Sequence, residues 1–329
     1  MHRFNNILFA VENAEADQPA LARAVTLAEH NQARLTVVDV LPPLPSGIGM
    51  PQGGPRAHDL QAAMLREHDE RMTALLAPFR DRLDIGHEVL VGTPFLEVIR
   101  SVLRNSHDLV IKCPESPGWL DRFFSGDDMH LLRKCPCPVW FIKPGAPKTY
   151  QRILAALDVD DGYPEQELET RRRLNIQILE MATSLAISES AELHLVHAWE
   201  SLSELANGLA FSSDIPAEQL RENIAQERRQ QHALVENFIE KARSASPAVR
   251  DALDYLRVST HLPQGSARRQ IPRMASELQV DCIVMGTVAR TGIRGFIMGN
   301  TAETILEQID CSVLAIKPPG FVTPVAAED

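Results

Sequence analysis

Short apolar runs alternate along this chain with longer segments whose apolar positions recur at helical spacing. In the first half the runs predict strands near 5–12, 34–41, 84–91, 108–113 and 138–143. In the second half they predict strands near 151–158, 191–199, 251–260, 281–287 and 312–317. Unbroken apolar stretches such as Cys282 to Met285 suit central strands of a parallel sheet, covered on both faces. Helix starts fit the same order. Gly92-Thr93-Pro94 offers an N-cap threonine with proline at the first helical position, and Gly265-Ser266-Ala267 repeats the cap. Five β/α units per half, joined by right-handed crossovers, predict an α/β fold: two tandem doubly wound parallel five-stranded sheets. Ligands of such sheets sit beyond the carboxyl ends of the strands.

The two halves repeat one another. Asn6 to Glu12 resembles Arg152 to Asp158 at an offset of 146, and Ala33 to Val38 resembles Ala191 to Val196 at 158. Asp108-Leu109-Val110-Ile111 resembles Asp281-Cys282-Ile283-Val284 at 173, and Cys137 to Pro144 resembles Cys311 to Pro318 at 174. The offset only grows, so the second copy carries insertions. A short Gly- and Pro-containing linker near 145–149 leaves domains at 1–146 and 150–320. Two segments depart from the pattern. The Pro- and Gly-rich stretch 41–57 reads as a surface loop, and 201–216 leads into a long polar helix over about 217–244.

The formal charge of −11 argues against broad nucleic-acid binding, which needs clustered Lys and Arg, and leaves room only for a local basic pocket. No apolar run approaches the roughly 18 residues of a membrane helix. The N-terminus runs straight into a strand-like segment without a signal peptide's layout, so the expected location is the cytoplasm. Five cysteines at irregular spacing give no disulfide framework. Cys135-Pro-Cys137 with His130 lacks a second ligand pair at zinc spacing and reads as buried thiols, so no metal site is expected. His58-Asp59, His68-Asp69 and His107-Asp108 are sequence neighbours without metal-ligand spacing and read as surface pairs.

The stretch Met285 to Thr301 carries the most chemistry. It follows a strand and opens a helix, and its glycines let backbone amides approach an anion. Arg290 and Arg294 add cations suited to phosphate. A ligand-free alternative stands beside this: Asn300 with Glu303 resembles a capping box that would close the helix start by itself.

This stretch resembles the nucleotide loop of the universal stress protein family: glycine, two residues, glycine, nine residues, then glycine and a small polar residue. Gly286, Gly299 and Asn300-Thr301 match that pattern, whereas Ala289 replaces the second glycine. Leu154 to Asp158 resembles the family's first strand with its terminal aspartate, and Leu195 to Ala198 its second-strand end. The likeness covers nearly the whole chain as two copies, as in the family's tandem branch. It implies the adenine-nucleotide alpha hydrolase-like fold, packed with pseudo-two-fold symmetry, in which Val139 to Ile142 would meet Val313 to Ile316. It further implies ATP or a related adenine nucleotide, with Mg, as ligand. Asp158 and Ala198 would hold base and ribose, while Gly286, Thr287, Arg290, Gly292, Gly299, Asn300 and Thr301 would hold phosphate. A homodimer is implied as well.

The first copy departs further. Its first strand ends in Glu12, and its fourth is followed by Lys112-Cys113-Pro114-Glu115 without the paired glycines. At an offset of 174, Ser125-Gly126-Asp127 falls on Gly299-Asn300-Thr301, so Asp127 and Asp128 open the fourth helix and neutralise its positive end themselves. This half is expected not to bind nucleotide. Trp119, Phe123 and Phe124 cluster there, as core or as an apolar ligand site. No P-loop, nucleophile elbow or acid–base constellation is present, so the chemistry expected is binding, with slow ATP hydrolysis at most. Two functions remain open: a stress-response protein sensing a phosphorylated ligand in its second copy, or a nucleotide-independent scaffold that takes an apolar ligand.

Overall fold

Strands in the first half are β1 (Asn6–Val11), β2 (Arg34–Leu41), β3 (Ile85–Val91), β4 (Leu109–Lys112) and β5 (Val139–Phe141). They lie in the order β3-β2-β1-β4-β5, and every pairing is parallel. Helices α1 (Gln18–Asn31), α2 (Ala57–Leu76), α3 (Pro94–Asn105) and α4 (Asp127–Lys134) make the crossovers. The computed structural model describes residues 4–13, 17–44, 57–114, 126–208, 216–287 and 298–327. These fall into two compact units, Met1–Lys148 with Phe321–Asp329, and Thr149–Gly320.

The second unit repeats the order as β8-β7-β6-β9-β10, again all parallel. Its strands are β6 (Arg152–Ala156), β7 (Glu192–Val196), β8 (Val258–His261), β9 (Cys282–Gly286) and β10 (Ser312–Ile316). Its helices are α5 (Glu165–Glu189), α6 (Leu202–Gly208), α7 (Ala217–Ala245), α8 (Pro247–Tyr255), α9 (Ala267–Glu277) and α10 (Asn300–Gln308). Consecutive residues Ile7-Leu8-Phe9 and Leu109-Val110-Ile111 are fully buried, as are Ile153-Leu154-Ala155 and Cys282-Ile283-Val284. Burial without alternation means that both sheet faces are covered, as a doubly wound sheet requires. Each Val, Leu, Ile and Phe among them contributes about 1.5–3 kcal/mol.

Two repeated devices explain parts of the sequence likeness. Asp108 accepts the backbone N–H groups of Asn5 (2.7 Å) and Asn6 (3.1 Å), and Asp281 accepts those of Gln151 (2.6 Å) and Arg152 (3.0 Å). The aspartate before the fourth strand of each copy thus latches the start of the first. Helix ends repeat too. Gln32 and Ser190 close α1 and α5 with φ of 53° and 55°, and Ser106 and Gln279 follow α3 and α9 with φ of 57° and 50°. All four adopt the left-handed conformation that usually selects glycine.

Some expectations need correction. Residues 251–255 are helical, not extended. Pro247 starts α8 with its missing N–H at no cost, Ser246 accepts from the Val249 N–H, and Val249, Ala252 and Leu253 face the core. Strand β8 begins only at Val258. The stretch 201–216, which leads into α7, itself holds the short helix α6. Thr93 and Ser266 are the N-caps of α3 and α9, but neither hydroxyl accepts a helix N–H; the Thr93 carbonyl takes Leu96 and Glu97 instead.

Candidate ligand crevice at the strand ends

In each unit the first strand lies between the second and fourth, so the connections diverge there and leave a crevice at the carboxyl ends. In the first unit this crevice is a cavity of about 210 Å³ lined by Glu12, Asp39, Phe95, Lys112, Asp127 and Leu131, among others. Lys112 spans it. The Nζ lies 2.8 Å from Glu12 Oε2 at the end of β1 and 2.5 Å from Asp128 Oδ1 in the first turn of α4. Burial alone would lower the Lys112 pKa, but the charges of Asp128 and Glu12 outweigh it and hold the ammonium above the usual lysine range. The Asp128 carboxylate thus lies in the first turn of α4 and is shared with Lys112, while Gly126 gives the helix no side-chain cap bond. Beneath lies Asp17, 1% exposed, whose carboxylate accepts the N–H groups of Glu12 (2.7 Å) and Asn13 (3.0 Å). Burial pushes its pKa up against those bonds, and burial with the Asp17 charge pushes the Cys113 thiol up to about 12.

The second crevice is built otherwise. Helix α10 has Gly299 as N-cap, an extended residue (φ −68°, ψ 137°) with no side chain to accept the first helical amides. Asn300 is the first helical residue, so it cannot serve as the cap of a box with Glu303; the Glu303 N–H bonds to the Gly299 carbonyl. Because α4 has Gly126 as N-cap, the register at this point is 173, with Asp127 on Asn300 and Asp128 on Thr301. The expected offset of 174 holds only beyond the helix, since α10 is 9 residues long and α4 is 8.

Other expected site residues take varied places. The N–H groups of His197 and Trp199 bond to the carbonyls of His261 and Pro263, toward β8. The peptide groups of Ala198 between them therefore face the Asp158 side, by the alternation of extended chain. Asp158 is already engaged: its Oδ2 accepts from Arg171 Nη1 at 2.5 Å and from the Tyr163 hydroxyl at 3.1 Å. The Arg171 guanidinium also lies 3.4 Å above the Tyr163 ring, and burial with the Asp158 charge raises the Tyr163 hydroxyl to about 12. Gly286 has a packing reason to be glycine, because a Cβ there would lie 2.7 Å from Leu174 Cδ2 on α5. Thr287 is fully buried; its hydroxyl accepts from Lys317 Nζ at 2.9 Å and its carbonyl from the Gly299 N–H at 3.1 Å. It anchors the start of α10 to the strand ends. Arg290, Gly292 and Ala289 with Arg294, and in the first copy Trp119, Phe123 and Phe124, lie outside the described residues.

Sequence reasoning missed Lys112, Lys317 and Arg171. A lysine inside the apolar run Leu109-Val110-Ile111-Lys112-Cys113 was a usable signal, since burying an ammonium requires partners. Arg171 gave none, lying among three consecutive arginines on a charged helix.

A sequence profile of the universal stress protein family matches residues 3–143 and again 149–317. The chain belongs to that family. It carries two tandem copies of the universal stress protein fold, and relatives align along its whole length. Universal stress protein E of Escherichia coli K12 is 28% identical over 337 residues, spanning 100% of this chain and 99% of that protein. Universal stress protein E of Photorhabdus laumondii is 27% identical over 342 residues, with 99% of each covered. Among solved structures, a protein of unknown function from Pseudomonas aeruginosa PAO1 superposes with a TM-score of 0.64 at 25% identity, over 96% of this chain and 94% of that one. A universal stress protein from Archaeoglobus fulgidus, at 15% identity and a TM-score of 0.59 over 95% and 96%, shares the fold. Among the described residues no group of three or more His, Cys, Asp or Glu is placed to hold a metal ion, and no helix is long and apolar enough to cross a membrane.

Proposed function

We propose that this universal stress protein is a cytoplasmic stress-response binding protein whose second domain takes an adenine nucleotide or a similar phosphorylated ligand, while the first takes none. One contrast carries the reading. At equivalent helix starts the first copy presents Asp127 and Asp128, with a lysine of its own held across the crevice, whereas the second presents Asn300 and Thr301 behind a glycine N-cap. An anion at such a helix start gains about 0.3–1 kcal/mol from the dipole alone, before its hydrogen bonds. The Ala198 backbone would take the base, as the family resemblance implies, with Asp158 beside it, where Arg171 and Tyr163 hold its carboxylate. Magnesium enters only as a companion of the phosphates. Pairing of the two copies through Val139 to Ile142 and Val313 to Ile316, and a homodimer of the whole chain, belong to the same proposal.

Calorimetric titration of the full chain with ATP tests it. The expected stoichiometry is one per chain. Gly299→Asp should bind at least about tenfold more weakly and still fold, because the extended backbone accepts aspartate and an N-cap carboxylate favours the helix. Unchanged affinity in that variant, or two equivalents bound, refutes the assignment.

A further inference from the structure

The second domain holds another cavity, of about 240 Å³, between the loop after β6 and helices α5 and α7. It lies away from the crevice at α10: crossovers of one hand put α5 and α7 on one sheet face and α9 and α10 on the other. The bond from His197 Nε2 to Gln231 of α7 (3.0 Å) and that from Arg152 Nη1 to the Leu278 carbonyl after α9 (3.2 Å) agree with this division. The volume exceeds the roughly 150 Å³ of a cavity that takes benzene and falls short of the roughly 300 Å³ where cofactor-sized pockets begin. That volume suits a ligand of about a dozen heavy atoms better than a nucleotide.

Charges in the lining are sorted by sign. Asp160 and Asp161 come from the loop, whereas Arg172 and Lys241 come from α5 and α7. Arg171 and Asp158 also line the space but are spent on each other at 2.5 Å, so they form wall. Among the described residues Asp161 and Lys241 make no ion pair or side-chain hydrogen bond, although they border the same cavity. Asp160 is fixed by accepting the Gly162 N–H at 3.0 Å. Leu234 and Phe238 of α7 supply an apolar surface, and Phe238 is 8% exposed. Arg172 also lies 3.6 Å from Glu169 on its own helix. The formal charges of the lining, three carboxylates and three cations, sum to zero, the carboxylates on the loop and the cations on the helices. A phosphate or dicarboxylate would meet the aspartates, a polyamine the cations, and a wholly apolar molecule would strip water from both.

We propose that this cavity binds a free α-amino acid with an apolar side chain, its ammonium toward Asp160 and Asp161, its carboxylate toward Lys241 and Arg172, and its side chain on Leu234 and Phe238. The walls are set in advance by the Arg171–Asp158–Tyr163 cluster, which lowers the ordering cost of binding. The cavity shares Asp158 as wall with the nucleotide reading but takes its ligand on other residues, and its test contains no nucleotide. L-leucine and L-phenylalanine are titrated into the full chain by calorimetry, alongside N-acetyl-leucine and leucinamide. At least one amino acid should saturate a single site, and each blocked analogue should bind about tenfold or more weakly, having lost one charged end. Lys241→Met and Asp161→Asn, both at exposed positions, should weaken binding by a similar factor with unchanged circular dichroism. Absence of saturation by both amino acids, equal affinity for a blocked analogue, or indifference to both substitutions overturns the proposal.

Discussion

Replacing Lys112 by methionine isolates what the first domain's internal ion cluster does. Methionine is the residue that the second copy has at this position, Met285, and its volume is similar. The Lys112 side chain is 6% exposed, with Glu12 at 19% and Asp128 at 18%. At an effective dielectric of about 20, an ammonium within 3 Å of a carboxylate gains about 6 kcal/mol per pair. Burying the ammonium costs several kcal/mol, and the two carboxylates repel. The net worth of the triad is therefore small, but removing its cation leaves two half-buried acids facing each other. Lys112→Met should destabilise the first domain by about 3 kcal/mol, at the low end of buried pairs because both acids keep part of their surface in water. Adding Glu12→Gln and Asp128→Asn to Lys112→Met should recover most of that, to within about 1 kcal/mol of the parent. Urea unfolding at pH 7, followed by tryptophan fluorescence with Trp140 as the buried reporter of this domain, gives both numbers. A single variant as stable as the parent, or a triple variant weaker than the single, refutes the reasoning.

Two further predictions concern stability. Ser190→Gly should raise the stability of the second domain by about 0.5–1 kcal/mol, because Ser190 holds φ at 55° where glycine carries no steric penalty. A fall in its thermal midpoint would show that some other contact of Ser190 outweighs the backbone term. His194 Nδ1 and His261 Nε2 lie 3.2 Å apart on adjacent strands, with Glu192 and Arg152 as the charged neighbours. Burial lowers both pKa values, and for His194 the His261 charge adds to it, so the unfolded chain binds protons more readily. The pair's contribution is then complete above about pH 6.5 and is lost as pH falls through the folded values. His261→Gln should flatten the decline in second-domain stability between about pH 7 and pH 5; an unchanged slope counts against the pair.

The sheets were legible because burial on both faces writes itself as unbroken apolar runs, and the repeat presents those runs twice, although their order within each sheet is not written there. What stayed hidden has a physical reason in each case. The stretch 251–255 holds apolar residues compatible with either period, and only the Ser246-Pro247 start and the tertiary cover of Val249 and Leu253 decide for helix. The left-handed closures at Gln32, Ser106, Ser190 and Gln279 lack the glycine that would announce them. Side-chain bonds across long separations, such as Lys112 to Asp128 or Arg171 to Asp158, leave no periodic trace at all.

Gly286 shows how far a motif can be trusted as chemistry. Its pattern position suggests close approach to an anion, yet Leu174 on α5 already occupies the space where its Cβ would lie. A side chain there would have to displace Leu174, so packing favours glycine even if no ligand ever bound. Gly299 differs, since it starts a helix in extended backbone that any residue adopts, so its backbone conformation gives no reason for glycine there. Thr287 also divides: it is fully buried on Lys317, and it reaches the site only by holding the Gly299 amide. The functional weight of the pattern therefore falls on its last part, the opening of α10. There the two copies differ by two carboxylates at positions Asp127 and Asp128, against Asn300 and Thr301, on otherwise matching frames.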